Sequence, residues 1–238
     1  MQKWLLLCML IPVLYSCNLI GERVEGNGQA ASESRQVDNF NSVECDGPMD
    51  IILQDSPNPG ARIECDQNLL SYITTETRGK TLHIEQKHGY NLRSDNPMRV
   101  YVSAPVFNEV ALGGSGNITS QRILVNPDKM SLRMSGSGNI KVQVNTPELE
   151  SRMNGSGDIT LSGSADRWVA SIAGSGNLYC FGLNTQKAEV TISGSGNAEV
   201  MASKQLTLKI NGSGNIKYRG AANVDSHING SGSVSKAE

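Results

Sequence analysis

Carboxylates recur at a fixed offset from a tetrapeptide that this chain repeats seven times. The tetrapeptide is Gly-Ser-Gly-Asn or a close copy, and its first glycine falls at Gly114, Gly136, Gly155, Gly174, Gly194, Gly212 and Gly230. Five positions earlier stand Glu109, Ser131, Glu150, Val169, Glu189, Thr207 and Asp225, an acid on every second copy. Three positions earlier stand Ala111, Arg133, Arg152, Ser171, Thr191, Lys209 and His227. If the copies lie on neighbouring strands, the acids are roughly 9 to 10 Å apart, close to the spacing of an inverting glycosidase's acid and base. A polysaccharide lyase or hydrolase built this way would use Glu150 and Glu189 beside Arg152. The simpler reading is electrostatic: alternation keeps like charges from facing each other across adjacent strands, and basic neighbours screen them. Nothing singles out one pair, and the regular repeat leaves no long insertion to wall a pocket. No residue is therefore assigned to catalysis.

Other chemistries fare no better. His83, His88 and His227 are too few and too scattered to build a metal site with the cysteines. No serine has glycine two positions before and two after it, so the nucleophile-elbow pattern is absent. A calcium roll needs several anionic oxygens, and only Asp158 puts a carboxylate at the asparagine position. A phosphate cradle needs a Lys-Ser/Thr after the glycines and a helix opening there, and neither is present. No metal and no cofactor is expected. The formal net charge of −2 points to no nucleic acid and no anionic membrane surface as partner. Tyr179, Phe181 and Met201 fall on outward positions, a small apolar patch suited to stacking on a sugar ring or touching a partner.

The elements that carry these residues follow from the repeat. The steps between copies are 22, 19, 19, 20, 18 and 18 residues. A period near 20 marks a solenoid whose repeats bury their apolar faces by stacking on one another. Two residues before each tetrapeptide stand Leu112, Met134, Met153, Ile172, Ile192, Ile210 and Ile228. One after it stand Ile118, Ile140, Ile159, Leu178, Ala198, Ile216 and Val234. Apolar and polar residues alternate on both sides, the period of two of a strand with one buried face. The expected fold is all-β, a single-stranded parallel β-helix with laps of strand, corner, strand and second turn. At about 4.8 Å per lap, the seven copies make a stack on the order of 35 Å long. The corner glycines allow positive φ and close approach of neighbouring laps. Asn117, Asn139, Asn177, Asn197 and Asn215, with Asp158 in the same column, form a candidate hydrogen-bond ladder, because a carboxamide both donates and accepts. The corner serines, Ser115 to Ser231, form a weaker one.

The ends of the chain read differently. Residues 1–16 resemble an export signal, with Lys3 before the apolar run Trp4 to Leu14. Leu14-Tyr15-Ser16-Cys17 resembles a lipobox, in which Cys17 takes the lipid and anchors the protein to the membrane. Residues 17–39 are rich in Gly, Glu, Ser, Gln and Asn and read as a flexible tether. The solenoid is expected over 40–238, its first part made of degenerate laps at Val43–Cys45, Ile51–Leu53, Arg62–Cys65, Thr81–Glu85 and Arg99–Ser103. Leu69 to Thr75 could form a short helix, but Thr74, Thr75 and Thr77 favour strand. Cys45 and Cys65 are one period apart, so adjacent laps would let them bridge; three buried reduced cysteines are the alternative. The last lap shows no helical or aromatic cap, which leaves an edge able to pair with another copy.

Val100-Tyr101-Val102-Ser103-Ala104-Pro105, then Asn108 to Ile118 and the repeated Gly-Ser-Gly-Asn-Ile, resemble the head GIN domain family of auto-transporter adhesins. The likeness covers about residues 40 to 235. It implies a β-solenoid and an adhesin-like role in an exported protein or lipoprotein of the Bacteroidetes type, and it supplies no catalytic residues. Together with Cys17, it leads to the expectation of a lipid-anchored envelope module, probing glycan or another envelope protein.

Overall fold

The computed structural model describes residues 21–238, so the leader 1–16 and Cys17 lie outside the described residues. The alternating pattern becomes one long strand per lap. Asn139–Gly155, Asp158–Gly174, Asn177–Gly194 and Asn197–Gly212 each run from the asparagine position to the first glycine of the next corner. The lap breaks only at the corner, and the expected second turn is a bend inside a continuous strand. Successive laps pair in parallel and in register. Ile140 lies opposite Ile159, then Leu178, Ala198 and Ile216 follow in one inward column. Met153, Ile172, Ile192, Ile210 and Ile228 form a second. The fold is the parallel β-helix, with about seven turns of stacked coils.

Differences in lap length are absorbed away from the corners. Register shifts occur between Thr119 and Ile123, between Thr160 and Ser162, and between Tyr179 and Lys187. The corner columns stay aligned through all of them. The core tolerates one large side chain the same way, by local compensation. Trp168 is fully buried, and the small Ser151 and Ala170 are opposite each other two residues along the paired strands. The indole Nε1 donates to Ser151 Oγ at 3.0 Å, which satisfies the one polar group that burying a tryptophan brings with it.

The corner glycines are required mainly by contact. Gly174 O accepts backbone N–H groups from Ser195 at 3.0 Å and from Gly196 at 3.2 Å. The same doubly accepting carbonyl recurs at Gly47, Gly155, Gly194 and Gly212. A Cβ on Gly194 would lie 2.3 Å from that Gly174 oxygen. The first glycines from Gly174 onward also hold φ between +133° and +143°. The second glycines, such as Gly138 and Gly157, do not hold positive φ, yet a Cβ on either would lie 1.8 Å from the carbonyl beneath.

The N-terminal end departs from the sequential winding expected for it. Ser42–Asp46 lies between Glu109–Leu112 and Thr81–Gln86, and Asp50–Asp55 between Asn117–Val125 and Arg99–Ala104. The intervening chain folds back antiparallel. Ile73–Arg78 runs beside Thr81–Gln86, Gly60–Asp66 beside Arg99–Ala104, and Ala30–Arg35 beside Gly60–Asp66. These strands close that end of the stack. Gln67–Tyr72 is a 3-10 helix, and the strand expected from the threonines begins only at Ile73. Residues 22–35, read above as tether, form the strands Glu22–Glu25 and Ala30–Arg35. They have little to bury and are held by backbone pairing and by Asp66, a side chain 1% exposed. Asp66 accepts from Ser94 Oγ and Asn96 Nδ2, each at 2.5 Å. Those two donors, with the Gly28 amide, hold its carboxyl below the usual range.

The same departure undoes the Cys45–Cys65 pairing. Cys45 sits between Ile84 and Leu112, whereas Cys65 sits opposite Ala31 on another strand of the sheet. Sequence spacing equals lap spacing only where the chain winds one lap after another. Cys45, Cys65 and Cys180 are all free, buried thiols. Burial, with Asp46 and Asp50 nearby, pushes the Cys45 thiol up to about 12. Burial, with Asp66, pushes Cys65 up to about 11, and burial raises Cys180 as well. Such thiols stay protonated and poorly nucleophilic at neutral pH.

Replacing Gly194 by Ala should destabilise the fold by about 3 kcal/mol, through overpacking at a fixed carbonyl. Ser195→Ala, at an exposed corner position, should stay within about 0.5 kcal/mol. Urea melts of both variants against the wild type measure the difference.

Candidate functional site

The registered corners bring the asparagine-position side chains into one column on the surface. Asn139 Nδ2 donates to Asn117 Oδ1 at 2.9 Å, Asn177 Nδ2 to Asp158 Oδ1 at 2.9 Å, and Asn197 Nδ2 to Asn177 Oδ1 at 2.9 Å. Asn215 Nδ2 donates to Asn197 Oδ1 at 3.1 Å, and Ser233 Oγ to Asn215 Oδ1 at 2.7 Å. Every link runs the same way, from one lap back to the lap before. The ladder begins at a residue that the sequence reading missed. Asn117 Nδ2 donates to Asp50 Oδ1 at 2.8 Å, because Gly47-Pro48-Met49-Asp50 forms a corner under the first tetrapeptide, with Gly47 beneath Gly114 and Met49 beneath Gly116. A glycine three residues before an acid was the available signal, obscured by Pro48 and Met49 in place of Ser-Gly. A terminal carboxylate suits this position, since the end of a one-way ladder needs only to accept. Asp158 interrupts the column for the same reason. It accepts from Asn177 but offers Asn139 Oδ1 only its backbone N–H, at 3.2 Å. The corner serines contribute their backbone N–H groups, as described above.

Beside this column lies an open groove of about 380 Å³, lined by Tyr179, Glu199 and Lys217 and by the carboxamides of Asn177, Asn197 and Asn215. Tyr179 and Glu199 are direct cross-strand neighbours, as are Glu199 and Lys217. Tyr179 is 43% exposed. The expected three-residue patch is divided. Phe181 is half-covered by the Arg219 guanidinium, 4.3 Å from its ring centre, a cation–π contact. Met201 belongs to a different groove, of about 390 Å³, with Asn145, Asp166 and Gln186. There Gln186 Nε2 donates to Asp166 Oδ1 and Lys204 Nζ to Gln186 Oε1, both at 2.6 Å.

Glu109, Glu150 and Glu189 in the outward acid column are paired with bases. Glu150 meets Lys129 at 2.9 Å and also Arg152, Glu189 meets Lys209 at 3.0 Å, and Glu109 meets Arg133. Lys129, and then Arg152, hold the Glu150 carboxyl below its usual range, the opposite of what a general acid needs. Val169 separates Glu150 from Glu189 across the strands. Among the described residues no three His, Cys, Asp or Glu side chains gather as a metal site would require, and no helix is long and apolar enough to cross a membrane.

The family described as "Putative auto-transporter adhesin, head GIN domain" matches residues 39–222. A solved "putative adhesin" from Bacteroides fragilis NCTC 9343 is 21% identical, with a TM-score of 0.86 over 90% of this chain and 100% of that one. At that identity it speaks for the fold alone. A "putative adhesin" from Parabacteroides distasonis ATCC 8503 is 27% identical, with a TM-score of 0.73 over 91% of this chain and 100% of that one. A "putative lipid binding protein" from the same organism is 26% identical, with a TM-score of 0.72 over the same shares. No curated protein matches the chain. The family is one of adhesins, not enzymes, and lends no support to the polysaccharide lyase or hydrolase alternative.

Asp158→Asn should complete the ladder by giving Asn139 Oδ1 a side-chain donor. The expected gain is about 0.5 to 1.5 kcal/mol, the net worth of one hydrogen bond. Thermal unfolding should show a higher midpoint, and an unchanged or lower one would mean the column does not act as a continuous ladder.

Proposed function

This chain belongs to the auto-transporter adhesin head GIN domain family, and we propose that it works as an adhesive module held on the cell envelope by a lipid on Cys17 and meeting glycan through the groove at Tyr179. The observation that carries the glycan reading is the setting of Tyr179. A large, half-exposed aromatic stands in one outward column with Glu199 and Lys217, beside the column of carboxamides. An aromatic face covers the apolar face of a sugar ring, and its edge stays wet. Carboxamides donate and accept at once, as sugar hydroxyls do, and the carboxylate accepts from a second hydroxyl. A few polar groups converging on one aromatic fix a ligand's orientation.

Repetition fits the same role. The carboxamide column presents equivalent groups one lap apart, and a chain of sugars can engage several in succession. Each contact is weak, so adhesion would arise from many modules on one surface acting together. Membership of an adhesin family supports export, and the leader 1–16 with Cys17 at its end supports lipid anchoring to the outer membrane. Another envelope protein is the competing partner, and it would be recognised by the same exposed groove.

Cells expressing the full chain should incorporate a fatty-acid probe into it, and Cys17→Ser should abolish that labelling; equal labelling of both would remove the anchor. On a glycan array, Tyr179→Ala should weaken binding roughly fivefold to tenfold, the loss of about 1 kcal/mol of stacking. Its melting temperature should stay near that of the wild type, because the ring is exposed. No bound glycan, or equal binding by the variant, would exclude this groove.

A further inference from the structure

We infer that the C-terminal end of the stack is a self-complementary edge, through which two copies of this chain pair antiparallel about a twofold axis at Ser226. The strand Asn223–Gly230 pairs with residues 205–212 on one side. Among the described residues nothing pairs on its other side, and all eight of its residues are exposed. An open row of backbone donors and acceptors is a template for another strand.

The side chains choose the partner and the register. Val224, Ser226 and Ile228 continue the inward columns of Leu206, Leu208 and Ile210. Those three are essentially fully buried, whereas Val224 is 38% and Ile228 42% exposed. Asp225 and His227 point outward between them. Pairing residues directly across an antiparallel ladder lie on the same face of the sheet. Registers that set an inward residue opposite an outward one are therefore excluded, because a one-residue slip turns the apolar set to solvent. Among symmetric registers, centring on Asp225 would face acid against acid, and centring on His227 would put Ser226 opposite Ile228. Centring on Ser226 puts Val224 opposite Ile228, Asp225 opposite His227 and Asn223 opposite Asn229, each pair occurring twice. Apolar meets apolar on the inner face, and acid meets imidazole on the outer one.

The other end of the molecule already ends this way. There the parallel laps finish against the antiparallel strands Ile73–Arg78 and Gly60–Asp66. A second copy would supply an antiparallel strand at the end where the chain's own described residues supply none. A twofold contact of this kind is closed, so it yields a dimer and no fibre. None of residues 223–230 lines the groove at Tyr179, so the inference is independent of the glycan reading.

The test uses the full chain in mild detergent. Sedimentation velocity should show a dimer that dissociates on dilution. His227→Asp sets two acids opposite each other on both sides of the axis and should weaken the dimer by about tenfold. The double variant Asp225→His with His227→Asp should restore it, since the pair is exchanged. Mild oxidation should link Ser226→Cys into a covalent dimer, because the two side chains face each other at about 4.5 to 5.5 Å between Cβ atoms. Ser195→Cys, on a corner away from the edge, should form no covalent dimer under the same oxidation. A wild type that is monomeric at every concentration, a dimer indifferent to His227→Asp, or no disulfide at Ser226→Cys would each overturn the inference.

Discussion

A carbonyl oxygen with two amide groups donating to it fixes the spacing of the laps at Gly47, Gly155, Gly174, Gly194 and Gly212. The oxygen belongs to the first glycine of a corner, and the donors are the serine and second glycine of the corner above. The contact is so close that no Cβ fits on the glycine facing it. Corner composition is thus a statement about distance between laps more than about turning. Once the corners are pinned, the strands on either side are pinned with them. The aliphatic columns then align lap on lap, and the asparagine side chains come within hydrogen-bond reach without any further requirement.

The pinned corner also explains where the protein tolerates variation. Laps of 18 to 22 residues coexist because bulges take up the difference on the far side. The outward columns are free to vary in the same way, which is how a uniform scaffold comes to hold one tyrosine-centred groove and a series of local ion pairs. Those pairs are exposed at one or both ends, and such pairs contribute about 0 to 1 kcal/mol each. Their main effect is to neutralise the acid column. A surface of this kind suits distributed, low-affinity contact.

Legibility followed repetition. From Gly114 to Gly230 the inward columns were assigned residue by residue, because each lap repeats one pattern and parallel stacking allows one register. The glycines and the asparagine column were readable for the same cause. The N-terminal third was not. Its short strands around Val43, Ile51, Arg62, Thr81 and Arg99 were visible from β-branched residues and turns, but their spatial order was not, since antiparallel return strands carry the same alternation as parallel laps. The corner at Gly47–Asp50 was hidden by its unlike middle residues, and the strands within 22–35 by their polarity. Tyr179, Phe181 and Met201 were read as one outward patch, but which of them share a groove depends on a bulge that lies between Tyr179 and Thr185.

The amino-acid sequence alone determined that this chain coils, where each coil turns, and which side chains fill its interior, because periodicity and glycine sterics act between identical neighbours. Tertiary structure alone decided how the antiparallel strands close one end of the stack, that Cys45 and Cys65 stand apart, and that Tyr179 lies beside Glu199 in the column that continues to Lys217. Those outcomes depend on which strand lies beside which, and pairing between unlike segments leaves no periodic trace for a linear reading to find.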